Sequence, residues 1–161
     1  MNRVSERDVE WSETEREGTH FKRKKLASAA DFDEVGASLY ELPPESSSWP
    51  YHFHTANAEA VYVLSGTGVL RTPDGEDRIE PGDFCGFPAD PDGAHRLHND
   101  GDEPLRYLAV STMRDPDVTV YPDSEKIGVY AGAPPGGDAG ERVVAGYYRE
   151  NDDVDYWEGE S

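Results

Sequence analysis

Two histidines separated by a single residue, His52-Phe53-His54, open the stretch that most constrains this chain, and Asn99 closes it. Side chains on a strand alternate between faces, so both imidazoles point the same way while Phe53 points the other. Glu59 follows across a short polar turn and shares the parity of Val61 and Val63. An acid is thereby placed on an otherwise apolar face, where a buried charge needs a partner such as a cation. His95 lies on a later strand with Leu97 on its own face and Arg96 and His98 on the opposite one. Three neutral imidazole nitrogens and one carboxylate oxygen make a donor set for a divalent transition metal. An octahedral ion held this way keeps up to two positions open.

These residues resemble the cupins. The first cupin motif, G-x5-H-x-H-x3,4-E-x6-G, matches in register at His52, His54, Glu59 and Gly66, with Ser46 standing where the leading glycine is expected. The second, G-x5-P-x-G-x2-H-x3-N, is met by Gly82, Pro88, His95 and Asn99, with two extra residues between Pro88 and His95. The extra length falls in Ala89-Asp90-Pro91-Asp92-Gly93, a turn-rich loop that absorbs insertion without moving strands. The resemblance spans roughly residues 35–112. It implies an all-β fold, the double-stranded β-helix or jelly-roll barrel of RmlC-like proteins, present once. It also implies a metal (iron, manganese, nickel or zinc) on His52, His54, Glu59 and His95, and pairing of barrels into a homodimer. It does not name a reaction, because the fold hosts oxygenases, isomerases and decarboxylases as well as sugar sensors and storage proteins.

Periodicity agrees with an all-β chain. Short alternating runs are separated by turn residues such as Pro43-Pro44, Ser65-Gly66-Thr67-Gly68 and Pro73-Asp74-Gly75, with almost no helical period. Strands are predicted over Thr19–Leu26, Gly36–Leu42, Ala58–Leu64, Val69–Thr72, Asp83–Phe87, Leu105–Ser111, Asp117–Tyr121 and Lys126–Tyr130. The division expected is an N-terminal arm over residues 1–18, extended or partly disordered, with Trp11 free to dock on the barrel or on a second subunit. A barrel then covers 19–130, and residues 131–161 form a flexible Gly/Pro connection with an acidic, aromatic tail. The tail can pack across the barrel mouth, pack onto a partner subunit or trail in solvent, and docking is favoured because Tyr147, Tyr148, Tyr156 and Trp157 gain nothing from water.

Charge excludes some functions. With 34 acidic against 15 basic residues and a net charge of -19, the chain has no basic stripe fit for nucleic acid. Self-repulsion of this size is damped at ~1 M salt, where the screening length is ~3 Å, so a halophilic source is expected; a melting temperature that rises with KCl checks this. The basic run Phe21-Lys22-Arg23-Lys24-Lys25-Leu26 is read as a strand with a solvated cationic face rather than a phosphate site. No apolar run approaches the ~20 residues that cross a bilayer, and the polar N-terminus lacks a signal-peptide core; the expected compartment is the cytoplasm. The single cysteine, Cys85, suits a reducing compartment and reads as a small buried hydrophobe. No serine stands in a nucleophile elbow, and no residue names itself as the general base. Two function classes follow: an enzyme acting on a small oxygenated metabolite through the metal, or a non-catalytic module that binds a sugar or carboxylate in the same pocket.

Overall fold

In the computed structural model, which describes residues 1–160, the chain forms fourteen strands. They are β1 (Ser12–Arg16), β2 (Thr19–Lys25), β3 (Val35–Leu42), β4 (Ser46–Ser47), β5 (Phe53–His54), β6 (Glu59–Ser65), β7 (Gly68–Thr72), β8 (Gly75–Ile79), β9 (Phe84–Phe87), β10 (Arg96–Asn99), β11 (Leu105–Thr112), β12 (Asp117–Tyr121), β13 (Lys126–Ala131) and β14 (Val144–Arg149). One short helix, α1 (Leu26–Ala29), fills the turn between β2 and β3.

All pairings are antiparallel and form a six-stranded sheet, β1-β2-β3-β11-β6-β9, and two four-stranded sheets, β4-β10-β7-β8 and β14-β13-β12-β5. Alternation decides what each strand buries. On β6, Val61 and Val63 are 4% and 0% exposed while Tyr62 and Leu64 face out at 42% and 44%. Phe21, Tyr40, Leu42, Val61, Val63, Phe87, Leu105 and Tyr107 of the large sheet meet Leu70, Ile79 and Leu97 of the second sheet in one core. Gly66 closes the turn after β6 at φ +78°, where a Cβ would stand 2.4 Å from the Pro104 carbonyl oxygen. Only glycine fits that close approach.

The second and third sheets meet at the site. His52 and His95 form a two-residue antiparallel bridge, exchanging N–H···O bonds of 3.3 and 3.0 Å. A directly opposed pair of this kind sets both side chains on the same face. His52 leads into β5, which pairs with β12, and His95 leads into β10.

Both ends of the chain add strands that periodicity does not reveal. β1, of sequence Ser-Glu-Thr-Glu-Arg, has no apolar face and is held by its backbone ladder to β2. Trp11 docks on the chain itself, its ring 4.7 Å from Lys24 Nζ. β14 pairs with β13 over six residues, while Tyr156 and Trp157 pack edge to face on each other and remain 82% and 73% exposed. Among the described residues no helix is long and apolar enough to cross a membrane.

The basic run on β2 departs from its expected solvated face. Phe21 is 1% exposed and Arg23, which shares its parity, is half-buried, while Lys25 at the end of the strand is exposed; Arg23 and Lys25 both line the cavity, Lys25 at its rim. Of the outward pair, Lys22 lies 3.9 Å from Glu41, while Lys24 is 7% exposed and donates to the Glu6 carbonyl at 2.6 Å. Glu6 and Trp11, ahead of β1, cover the Lys24 face that polarity alone assigns to water.

Candidate metal centre

His52, His54, Glu59 and His95 converge at the wall of a cavity of about 1080 Å³. Glu59 Oε2 lies 3.8 Å from His52 Nε2 and 3.5 Å from both His54 Nε2 and His95 Nε2. His52, His54 and Glu59 offer ligand atoms all within 4.8 Å of one another. The histidines are 8%, 7% and 7% exposed. Each gets there by the strand arithmetic: the His52–His95 bridge fixes two rings, and His54 is opposite Thr119 on β12. Glu59 opens β6 on the face of Val61 and Val63.

The other nitrogen of every ring is engaged. His52 Nδ1 donates to the Pro50 carbonyl at 2.7 Å and His95 Nδ1 to the Gly93 carbonyl at 2.9 Å. His54 Nδ1 lies 2.6 Å from Asp117 Oδ2, with Thr119 Oγ1 at 3.1 Å. A carbonyl can only accept, so the protons of His52 and His95 are on Nδ1 and their lone pairs are on Nε2. Burial is the largest effect on both rings and holds His52 down to about 4 and His95 below its ordinary value. Burial also works against protonating His54, yet Asp117 and Glu59 outweigh it and raise that ring. Asp117 itself is desolvated, which disfavours its charge. Hydrogen bonds from His54, Asn57 and the Ala56 N–H nonetheless keep its carboxyl below the usual range.

On His52 and His95, electron pairs on Nε2 therefore face a carboxylate oxygen at 3.8 and 3.5 Å in a buried site. That arrangement repels itself unless a cation occupies the centre, and backbone carbonyls and a carboxylate at Nδ1 are the usual outer partners of metal-ligating imidazoles. The residues fit a divalent transition ion.

Asp117 and Thr119 were not singled out from sequence, although their shared parity on β12 was visible; both are 1% exposed. Around the site, the Phe87 ring lies flat on His95, centroids 3.7 Å apart and planes 7° from parallel. Tyr121 stacks 5.9 Å from His52, and the Tyr130 hydroxyl donates to that of Tyr147 at 2.8 Å. Tyr40, Trp49, Tyr107, Tyr121, Tyr130 and Tyr147 line the cavity, so Tyr147 of the tail does reach the barrel mouth. His98 points away and pairs with Ser47 Oγ at 3.0 Å, and His20 pairs with Glu13 at 2.8 Å. Cys85 is half-buried against the core, and burial pushes its thiol up, as for an inert cysteine.

The family model of the cupin domain matches residues 38–111. Among curated relatives, glucose-6-phosphate isomerase of Pyrococcus abyssi is 43% identical over 65 residues, covering 37% of this chain and 33% of its own. The match thus spans a third of that relative's length. Among solved structures, a presumptive sugar phosphate isomerase from Acidithiobacillus ferrooxidans is 29% identical at a TM-score of 0.79, with 94% of each chain covered. A sugar phosphate isomerase of the cupin superfamily from Silicibacter pomeroyi, at 23% identity and a TM-score of 0.78, covers 93% of this chain and 94% of its own, and shows the fold alone. Paired motifs, an inward His-His-Glu cluster and the family match agree: residues 38–111 form a cupin domain.

Proposed function

We propose that the protein is a metal-dependent isomerase that interconverts hydroxyaldehyde and hydroxyketone forms of a small sugar or sugar phosphate. The observation that carries this reading is the convergence of four ligand atoms on the wall of a cavity of about 1080 Å³, large enough for a small metabolite. The local likeness to glucose-6-phosphate isomerases and the full-length likeness to the Acidithiobacillus protein favour isomerisation over the oxygenase and decarboxylase alternatives.

A divalent ion held by His52, His54, Glu59 and His95 would supply Lewis-acid polarisation of neighbouring carbonyl and hydroxyl oxygens. The chain's own residues do the rest. The Pro50 and Gly93 carbonyls and Asp117 hold the three rings in place before substrate arrives. Phe87 covers one side of His95 and keeps water from it. Burial pushes Tyr121 up to about 12, and burial together with the neighbouring tyrosines raises Tyr130 further. These hydroxyls stay protonated at neutral pH and orient substrate oxygens instead of taking protons. Glu59 faces the three rings through Oε2, which leaves its Oε1 to move the proton between adjacent carbons.

The test is incubation of metal-loaded protein with fructose and fructose 6-phosphate in deuterated water, followed by NMR. Aldose formation that disappears in a His52→Ala/His54→Ala variant supports the reading. No interconversion by metal-replete protein across aldoses, ketoses and their phosphates sinks it in favour of a binding module.

The same proposal includes a homodimer. Tyr62 and Phe84 are paired across β6 and β9 on the outer face of the large sheet and, with Leu64, are 42%, 69% and 44% exposed. Light scattering after size exclusion should give twice the chain mass, and half of that in a Phe84→Asp variant.

A further inference from the structure

Arg23, Lys25 and Arg142 line the same cavity as the four ligand residues. Strand parity brings Arg23 inward from β2 and Lys25 to the rim, and the segment leading into β14 brings Arg142 to the same rim. The three are electrostatic neighbours: after burial, the largest influences lowering Lys25 are the charges of Arg23 and Arg142. Among the described residues, every ion pair within 4.0 Å uses other cations; none of these three has a carboxylate partner. Asp31, Asp33, Asp115, Asp138 and Glu141 line the cavity as well, and none of them pairs with these three cations within 4.0 Å; Asp115 accepts from the Gly132 N–H and Asp138 from the Gly140 N–H, each at 2.8 Å.

The guanidinium groups are held, yet keep free donors. Arg23 Nε donates to Ser38 Oγ at 3.1 Å, its guanidinium carbon lies 5.3 Å from the centre of the Tyr40 ring, and its Nη2 stands 3.7 Å from the Cβ position of Gly136. Arg142 donates through Nε to the Ala133 carbonyl at 3.2 Å and through Nη2 to the Pro134 carbonyl at 3.0 Å. Arg142 therefore ties the Gly/Pro connection to the cavity rim, with Arg23 beside it. Neither guanidinium spends all of its five donors on these contacts.

We propose that Arg23, Lys25 and Arg142 form a phosphate-binding subsite at the rim of the cavity, which holds the phosphomonoester end of the substrate while its carbonyl end faces Glu59 and the histidines. The proposal rests on the isomerase reading for the carbonyl end only. Two guanidinium forks and an ammonium suit a dianion with three terminal oxygens better than a single carboxylate. With the phosphate fixed at one end, the reacting carbons are positioned at the other, so that unphosphorylated sugars are poorer substrates.

The experiment is calorimetric titration of inorganic phosphate into the metal-loaded protein, the His52→Ala/His54→Ala variant, Lys25→Gln, Arg23→Gln and Arg142→Lys. Lys25 is exposed, so its variant tests the site without disturbing the core. Phosphate should bind the wild-type and His52→Ala/His54→Ala proteins alike and bind Lys25→Gln and Arg23→Gln about tenfold more weakly or worse. Arg142→Lys should retain part of the affinity. Equal binding to all variants, no binding to any, or binding lost only with the histidines, which would place phosphate on the metal, each overturns the subsite. Phosphate binding that behaves as expected in a protein without isomerase activity leaves the subsite standing and removes the isomerase reading.

Discussion

At the inner wall of the cavity three imidazoles sit 8%, 7% and 7% exposed with every Nδ1 engaged, whereas at the mouth Tyr147 is 63% exposed on β14, an edge strand paired with β13 alone. The wall joins two sheets through the His52–His95 bridge and is backed by Leu97, Val61 and Phe87. The mouth has backbone pairing and a few tyrosine contacts. Ligand geometry of this kind needs rigidity in the residues that hold an ion. A rim needs only enough order to guide a substrate, and edge strands open locally at lower cost than core strands.

If the contrast is real, truncation at the wall should cost far more than at the mouth. Leu97→Ala should lower unfolding free energy by about 2–5 kcal/mol through lost burial and a residual cavity, read by urea denaturation; a loss under ~1 kcal/mol would say the wall is loosely packed.

Acidification probes the same wall in protein stripped with chelator. His52 titrates at about 4 in the fold against ~6.5 unfolded, so the unfolded chain takes up a proton first as pH falls. Stability from this group is fully present above ~6.5 and declines towards pH ~4, by up to about 3 kcal/mol. His95 acts in the same direction, while the raised His54 opposes it. Denaturation at a series of pH values should show a shallower decline in His52→Gln, and an unchanged slope would contradict the assignment.

Asp117→Asn should weaken metal binding about 10–100-fold without removing any ligand, because it loosens the partner that orients His54. Competition with a chelator reads it, and wild-type affinity would make Asp117 a bystander. Smallest of all, Tyr147→Phe should change stability by less than about 1 kcal/mol, since it removes one hydrogen bond at an exposed rim.

What sequence could reveal divides along the same line. The wall was readable: alternation alone set His52 beside His54, aligned Glu59 with Val61 and Val63, and turned His98 away from His95. Those are local rules, and burial enforces them. Asp117 escaped because its partner His54 is 63 residues away and nothing in the local pattern joins them. β1 and β14 escaped because an edge strand can be held by its backbone with polar or exposed side chains on both faces. The parity that Arg23 and Lys25 share with Phe21 was present, but a run of charges reads as solvated until the cavity beneath it is seen.

The most direct test of the metal centre is elemental analysis of protein purified in high KCl without chelator or affinity tag, beside a His52→Ala/His54→Ala variant. Four converging donors predict about one equivalent of iron, manganese, nickel or zinc per chain, lost in the variant. Less than about a tenth of an equivalent, not restored by adding those metals, would contradict a metal centre and leave a metal-free binding cavity.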